Sequence, residues 1–217
     1  MIYLHTNPTI MTENTTPQSF RAIRAKSTPT TITVYQAFSP EIAEPALRAQ
    51  KFVSPFLRTR MTWIKPSFLW MAYRCGWATK PRQERVLAIE ITREGFEWAL
   101  KRSCLSHVPG NQHQLQKQEQ DRWRKGLRES PVRVQWDPER DLWHRPLGHR
   151  SIQIGLSKEA VDRYVDEWIV SITDVTAIMG DIKGHLDRGE VEEAKRLLPE
   201  ESVYPLSEEL REILQTM

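Results

Sequence analysis

The chain has 217 residues, a length that suits one domain with a sizeable hydrophobic core. Hydrophobic residues make up 39% of it and charged residues 27%, which excludes an intrinsically disordered chain, and two cysteines are too few for a disulfide framework. The net charge is +3, but residues 58–102 carry ten Lys or Arg and four Asp or Glu, whereas residues 157–217 carry seven and fifteen. The basic middle and the acidic C-terminal portion either neutralise each other or form opposite faces.

The chain shows no pattern typical of membrane insertion or of export. No run approaches the roughly 20 apolar residues that a bilayer crossing needs. The first 20 residues lack a basic segment followed by an apolar one, and no arginine precedes Arg21. Cys75 and Cys104 have no metal-type spacing, as is usual in a reducing compartment. We therefore expect a cytoplasmic protein that does not contact a membrane.

The first predicted elements follow a segment rich in Thr, Asn and Pro, residues 1–19, which we expect to be a disordered tail. Residues 31–38 (TITVYQAF) are β-branched and aromatic and predict a strand. A Ser-Pro-Glu start predicts a helix over residues 40–50. In the stretch RTRMTWIKPSFLWMAYRCGW, Pro66 suits the first position of a second helix and Gly76 suits its end.

The middle of the chain continues this alternation. Residues 84–91 (ERVLAIEI) predict a buried strand, and a helix that ends at Arg102 follows it. Residues 106–130 are rich in Gln and charge, and we expect a long exposed insertion with a short helix near Trp123. Strand character returns at residues 132–136, and the sequence WDPERDLWHRPLGHR after it is interpreted as a polar loop.

Apolar and polar residues alternate in residues 151–156 (SIQIGL). One face of this strand is therefore expected to join the core. The other face carries Gln153 and is available for polar contacts. A helix over residues 157–168 and a last strand over residues 168–173 follow. From residue 174 the pattern is helical and increasingly acidic.

Together these elements predict an α+β fold. We expect a single domain with a mixed or antiparallel central sheet flanked by helices, and a helical acidic C-terminal portion. The core domain is placed at residues 20–180 and the C-terminal helical extension at residues 181–217.

A candidate anion site lies in the most basic stretch. Arg60 and Lys65, with Arg58, precede the predicted helix start, where unpaired N–H groups and the helix dipole favour a phosphate or carboxylate. Ser67 adds a hydroxyl donor, and Trp63 offers a ring for stacking. In the structural alternative, Lys65 pairs with an acid, Trp63 belongs to the core, and amides such as Gln36 and Gln153 close backbone hydrogen bonds. The ligand-binding candidates are Gln36, Arg60, Trp63, Lys65, Ser67 and Gln153.

Familiar catalytic and metal-binding motifs do not occur in the sequence. Its six histidines form no metal-ligand spacing, and it has no P-loop, no GxGxxG and no GxSxG motif. We therefore expect no metal site. Arg74 lies nine positions after Lys65 and is interpreted as an ion-pair partner rather than a ligand contact.

Several segments resemble the domain-of-unknown-function family 4291. They are ITVYQAF, RMTWIKPSFLWMAYR, QERVLAIEITREGFEWAL, VRVQWDPERDL, RSIQIGL and DEWIVSITDVT, and they extend from about Arg21 to Thr176. The segment RMTWIKPSFLW is especially specific. The resemblance covers most of the chain but implies no particular reaction, because the family is uncharacterised.

The layout is also similar to that of ADP-ribosyltransferase-like domains, which bind NAD. The similarity lies in VYQAFSPEIAEPALRAQKF, a strand followed by a capped helix, and in the late segment DEWIVSI. It implies that Tyr35 or Gln36 lies near the nicotinamide ribose and that Arg60 and Lys65 hold the pyrophosphate. It also implies that Glu167 is the catalytic acid that contacts the ribose.

Three classes of function are compatible with these features. The preferred one is an enzyme or binding domain for a nucleotide or another phosphate-bearing small molecule, with NAD as one such cofactor. A nucleic-acid-binding module would use exposed Trp side chains with Arg58, Arg60, Arg82 and Arg85. A protein-interaction domain would use the acidic C-terminal helices to dock a partner.

Overall fold

The computed structural model describes residues 20–107 and 116–216. The expected tail, residues 1–19, lies outside these ranges, as do residues 108–115 of the expected insertion. The helices are α1 (Pro40–Ala49), α2 (Phe68–Cys75), α3 (Arg93–Lys101), α4 (Lys117–Glu129), α5 (Glu159–Arg163) with a π-helical turn (Tyr164–Trp168) that continues it, α6 (Thr176–Asp187), α7 (Val191–Arg196) and α8 (Glu208–Leu214). None of the helices in the described ranges combines the length and the apolar composition that a bilayer crossing requires.

The strands are β1 (Arg24–Ala25), β2 (Thr31–Phe38), β3 (Thr62–Ile64), β4 (Arg85–Thr92), β5 (Ser103–Leu105), β6 (Val132–Arg140), β7 (Pro146–Leu156), β8 (Ile169–Asp174) and β9 (Ser202–Val203). They form an antiparallel sheet in the order β2-β4-β8, a mixed sheet in the order β3-β7-β6-β5, and a small pair of β1 with β9. In the mixed sheet β5 runs parallel to β6, whereas the other neighbours are antiparallel.

Backbone hydrogen bonds between Tyr35 and Lys65 connect the two larger sheets. Tyr35 N donates to the Lys65 carbonyl oxygen over 2.7 Å, and Lys65 N donates to the Tyr35 carbonyl oxygen over 3.3 Å. Since Lys65 directly follows β3, this bridge fixes the position of that strand beside β2. The architecture confirms the predicted α+β domain with antiparallel and mixed sheets.

The larger of two hydrophobic clusters among the described residues lies against the inner faces of both sheets. Val34 and Ile89 from the antiparallel sheet and Val134 and Ile154 from the mixed sheet are fully buried in it. Helices α1, α3 and α5 contribute further buried apolar side chains. Because side chains alternate along a strand, the residues between these core positions point to the opposite faces of the sheets.

The C-terminal portion packs on the same core. Tyr204 is 1% exposed, and Leu210 and Leu214 of α8 are buried beside it. Strand β9 pairs with β1 near the start of the described chain. The helical segment after residue 180 is therefore joined to the core both by a strand pair and by apolar contacts.

Two local predictions were wrong. Helix α2 begins at Phe68 rather than at Pro66, because Ser67 is its N-cap and accepts a hydrogen bond from Trp70 N over 3.1 Å. Gly76 ends the helix as predicted, with a φ of 60°. The expected polar loop WDPERDLWHRPLGHR instead supplies much of the β6–β7 hairpin.

Candidate functional site

A cavity of about 580 Å³ lies where α2, β3, the end of β2 and the turn before β4 meet β7. Its lining contains four cations, three aromatic rings and three carboxamides, and none of these described lining residues is Asp or Glu. Those residues are Arg60, Lys65, Arg74 and Arg82, then Phe38, Trp63 and Trp70, then Gln36, Gln83 and Gln153. Five of the six ligand-binding candidates from the sequence therefore line one cavity, and Ser67 is the exception.

Strand β3 and its partner β7 position the aromatic wall of the cavity. Trp63 pairs with Gly155 in the register of these strands. An added Cβ at Gly155 would lie 2.9 Å from Trp63 Cη2 and Cζ3 and from Met61 Sδ. The indole therefore packs directly against a strand backbone that only glycine leaves open, and this contact sets its orientation.

Three arginines surround the cavity with charge that the protein does not neutralise. The guanidinium groups of Arg60, Arg74 and Arg82 are on exposed residues, and within the described ranges they make neither an ion pair nor a hydrogen bond. Arg82 also has a φ of 64°, a left-handed conformation that costs a non-glycine residue about 1 kcal/mol. The interpretation of Arg74 as an ion-pair partner was wrong, since it makes no ion pair with any described residue and belongs to the lining of the cavity.

The fourth cation, Lys65, lies at the base of the cavity and is only 1% exposed. Its Nζ lies 3.2 Å from Asp137 Oδ2 and 3.3 Å from the Ser151 carbonyl oxygen, and 3.9 Å from the centre of the Trp70 ring. Burial lowers the pKa of Lys65 to about 8, against the attraction of Asp137 and Glu139. The sequence alternative that Lys65 pairs with an acid is thus realised, although the same side chain also lines the cavity.

Polar side chains on the outer face of the mixed sheet surround the Lys65 amine. Gln135 Nε2 donates to Asp137 Oδ1 over 2.7 Å, which fixes the carboxylate that faces Lys65. Gln153 pairs with Gln135 across the strands and lines the cavity, and its carboxamide has no hydrogen-bond partner among the described residues. A half-buried amide of this kind is available to a ligand.

Gln36 lines the cavity, but both the nitrogen and the oxygen of its carboxamide bond to the protein. Its Nε2 donates to Thr62 Oγ1 over 2.7 Å and to the Trp63 carbonyl oxygen over 3.0 Å. Its Oε1 accepts from the buried Tyr164 hydroxyl over 2.8 Å. Gln36 therefore ties β2 to β3 and supports the cavity wall.

The start of α2 is filled by the protein's own acids. Phe68 N donates to Glu201 Oε1 over 2.7 Å, and the Ser67 hydroxyl donates to Glu139 Oε1 over 2.9 Å. Burial, helped by the charge of Glu139, raises the pKa of Glu201 to about 8. The sequence-based anion site at this helix start is therefore corrected: the cations gather beside the helix, and the N–H groups of Phe68 and Trp70 are already bonded within the protein.

Glu167, the candidate acid, lies outside the cavity. It belongs to the π-helical turn, its side chain is 54% exposed, and its Oε2 is 3.6 Å from Arg163 Nη1. The convergence expected of a transferase site, with Glu167 beside Arg60 and Lys65, does not occur in the described structure.

Only part of the arginine surface predicted for nucleic-acid binding is available in the structure. Arg58 is held by Asp162 and Asp166, and Arg85 lies 3.4 Å from Asp174. Arg60 and Arg82 lie at the cavity. Two of the four predicted phosphate contacts are thus already engaged by carboxylates.

The acids of the C-terminal helices are largely paired with neighbouring cations. Lys195 Nζ lies 2.8 Å from Glu192 Oε1, and Arg188 Nη2 lies 2.8 Å from Glu190 Oε2. Cations of the same helices therefore neutralise part of this acidic portion. None of the described residues that line the basic cavity belongs to it. No group of three or more His, Cys, Asp or Glu that would hold a metal ion occurs in residues 20–107 and 116–216.

The fold and the cavity together define a single-domain α+β protein with a cationic, aromatic-lined site. The family model described as Domain of unknown function (DUF4291) matches residues 22–204, and the chain belongs to this family. The match confirms the resemblance seen in the sequence and extends it beyond Thr176 to the strand pair of β1 and β9. A comparison with curated proteins found no match.

Proposed function

We propose that this protein binds a small phosphate-bearing ligand of nucleotide size in the cavity between α2 and β3. The observation that carries the proposal is the meeting of four cations in one cavity whose described lining contains no carboxylate. Three of these cations are guanidiniums without a described partner. Uncompensated arginines lose little on binding an anion, and their planar donors match phosphate oxygens.

The size and the remaining groups of the cavity favour a ligand that also carries a ring. A volume of about 580 Å³ lies within the roughly 300–1,000 Å³ that is usual for small-molecule sites. Trp63 and Trp70 supply apolar and stacking surface, and Gln153 supplies an uncommitted amide. A nucleotide presents a phosphate, a planar ring and hydrogen-bonding edges, which these three features complement.

An NAD-using transferase is a narrower version of this proposal that the site does not favour. Its catalytic acid would have to be another residue than Glu167, whose carboxylate pairs with Arg163 outside the cavity. The lysine at the base of the cavity is the better candidate for chemistry. We therefore state the function at the level of phosphate-bearing ligands.

Calorimetric titration of the full chain tests the proposal. We expect ADP to bind and adenosine, which has the same ring and ribose without phosphate, to bind at least about tenfold more weakly. Arg82→Gln is expected to weaken ADP binding by about tenfold, the loss of one charge-assisted contact. The matched control is Arg58→Gln, which removes an arginine that Asp162 and Asp166 already hold and should leave the affinity for ADP unchanged. Equal affinities for ADP and adenosine, or equal effects of the two variants, would contradict a phosphate site at this cavity.

A further inference from the structure

The amine of Lys65 is placed differently from the three arginines of the same cavity. The arginines are exposed, whereas Lys65 is 1% exposed and lies under the Trp70 ring. Exposed guanidinium groups bind a phosphate well. Burial of a charged ammonium group, in contrast, has a large desolvation cost. A buried lysine at the base of an anion site is therefore poorly explained as one more phosphate contact.

We propose that Lys65 condenses with the carbonyl group of a phosphorylated aldehyde or ketone and forms an imine at the base of the cavity. The inference rests on the proposed phosphate site, and it names the class of ligand that the site takes. The arginines hold the phosphate and bring the carbonyl carbon to the amine, so the attack becomes a reaction between groups that are already in place.

The surroundings of Lys65 favour its neutral form and provide a route for protons. Because burial lowers the pKa of Lys65 to about 8, roughly one tenth of the amine is neutral at pH 7, compared with less than about one thousandth for an ordinary lysine. Asp137 Oδ2 lies 3.2 Å from Nζ and is held by Gln135, so it is positioned to accept and return a proton.

Ser151 provides a second, independent sign of an unused polar position beside the amine. Its carbonyl oxygen lies 3.3 Å from Lys65 Nζ. Its hydroxyl is buried, with the residue 4% exposed, and Oγ has no hydrogen-bond partner among the described residues. Ser151 and Gln153 are two positions apart on β7, so their side chains share one face. Gln153 lines the cavity, and its carboxamide can bond to the oxygen that forms when the amine adds to a carbonyl.

The step balances without any further reactant. The nitrogen lone pair of neutral Lys65 forms a bond to the carbonyl carbon, and the C–O π electrons move to oxygen. Asp137 transfers the two nitrogen protons to that oxygen in turn, and water leaves as the nitrogen lone pair closes the C=N bond. One amine and one carbonyl give one imine and one water, nothing is oxidised or reduced, and water reverses the step.

Reductive trapping on the full chain tests this inference. The probe is pyridoxal 5′-phosphate, a phosphorylated aromatic aldehyde, followed by sodium borohydride and peptide mapping by mass spectrometry. We expect Lys65 to be labelled roughly tenfold faster than the exposed Lys80, and excess inorganic pyrophosphate to slow the labelling. The matched probe is pyridoxal, which has the same aldehyde without phosphate and should label Lys65 at least about tenfold more slowly.

Lys65→Arg keeps a positive charge beside Asp137 but lacks a primary amine, so it should lose the adduct. The control Arg58→Gln lies outside the cavity and should keep both ADP binding and the Lys65 adduct. Labelling of Lys80 without labelling of Lys65 in the wild type would overturn the inference, as would equal rates for the two probes at Lys65. If ADP binds while Lys65 stays unlabelled, the imine is rejected and the phosphate site stands. If neither ADP nor pyrophosphate binds, the phosphate site is rejected, and the imine proposal that rests on it is rejected too.

Discussion

Glu201 Oε1 lies 2.7 Å from the backbone nitrogen of Phe68, the first residue of α2. The two residues are far apart in the chain, and their contact fills the helix start that the sequence offers to a ligand. A ligand anion in the neighbouring cavity must therefore be met by side chains, above all by Arg60, Arg74 and Arg82. The contact also fixes the C-terminal segment next to the helix that carries Arg74.

The Glu201 contact makes stability depend on pH. Because the pKa of Glu201 is raised from 4.5 to about 8 in the folded protein, the folded state keeps a proton between these pH values that the unfolded state loses. The free energy of unfolding therefore falls as pH rises from about 5 to 8. The glutamine in Glu201→Gln is neutral at every pH and can still accept a hydrogen bond from Phe68 N. The variant should therefore gain stability relative to the wild type as pH rises, and the gain between pH 5 and pH 8 should be on the order of 2 kcal/mol.

Urea denaturation at pH 5, 6, 7 and 8 measures this difference. Parallel pH profiles for the wild type and Glu201→Gln would contradict a buried, proton-retaining carboxyl at the start of α2.

Gly155 is predicted to be essential for the aromatic wall. In Gly155→Ala the new methyl group lies 2.9 Å from two carbons of the Trp63 ring, so the indole must move. We expect a loss of about 1–3 kcal/mol of stability, the usual cost of overpacking, and a weaker affinity for ADP. Gly148→Ala is the matched control on the same strand, because no heavy atom lies within 4 Å of its added Cβ.

Urea denaturation and calorimetry compare the two glycine variants. The packing of Trp63 against β7 would be refuted by variants that behave alike in both measurements.

Tyr164→Phe separates the structural role of Gln36 from a role in ligand binding. The change leaves Gln36 Oε1 buried without the hydroxyl that lies 2.8 Å away, which should cost about 1–3 kcal/mol of stability. Gln36 Nε2 keeps its bonds to Thr62 and Trp63, so the affinity for ADP should not change. An unchanged melting temperature with a lost affinity would instead show that the Gln36 carboxamide serves the ligand.

Elements with strong local signals were predicted well from the sequence. The strand over residues 31–38 is confirmed at both ends, and the helix that follows it ends within one residue of its predicted end. β-branched residues, a Pro near a helix start and a Gly at a helix end act through nearby backbone geometry, so their effect can be seen in the sequence alone.

The parts of β6 and β7 that were taken for a loop carry many polar side chains. In β6, Gln135, Asp137 and Glu139 alternate with other residues, and a Pro and several charges around them are typical of a loop. Their strand character depends on pairing with β7, which is not visible in either segment alone. Extending the alternation past Trp136 would have placed Asp137 on the same face as Gln135.

The candidate site was only partly predictable for the same reason. Arg60, Trp63 and Lys65 are close in the sequence and stand out as a cluster. Arg74 and Arg82 reach the cavity only through the path of α2 and the turn before β4, and Glu201 reaches the helix start only through the fold of the C-terminal segment.

The most direct measurement is the calorimetric affinity for inorganic pyrophosphate of the wild type and of the triple variant Arg60→Gln, Arg74→Gln and Arg82→Gln. Pyrophosphate has no ring, so it reports on the cations alone. Since the three guanidiniums have no described partner, the variant should melt within a few degrees of the wild type, and its affinity should fall by at least about 100-fold. A folded triple variant that binds pyrophosphate as tightly as the wild type would contradict the proposed site.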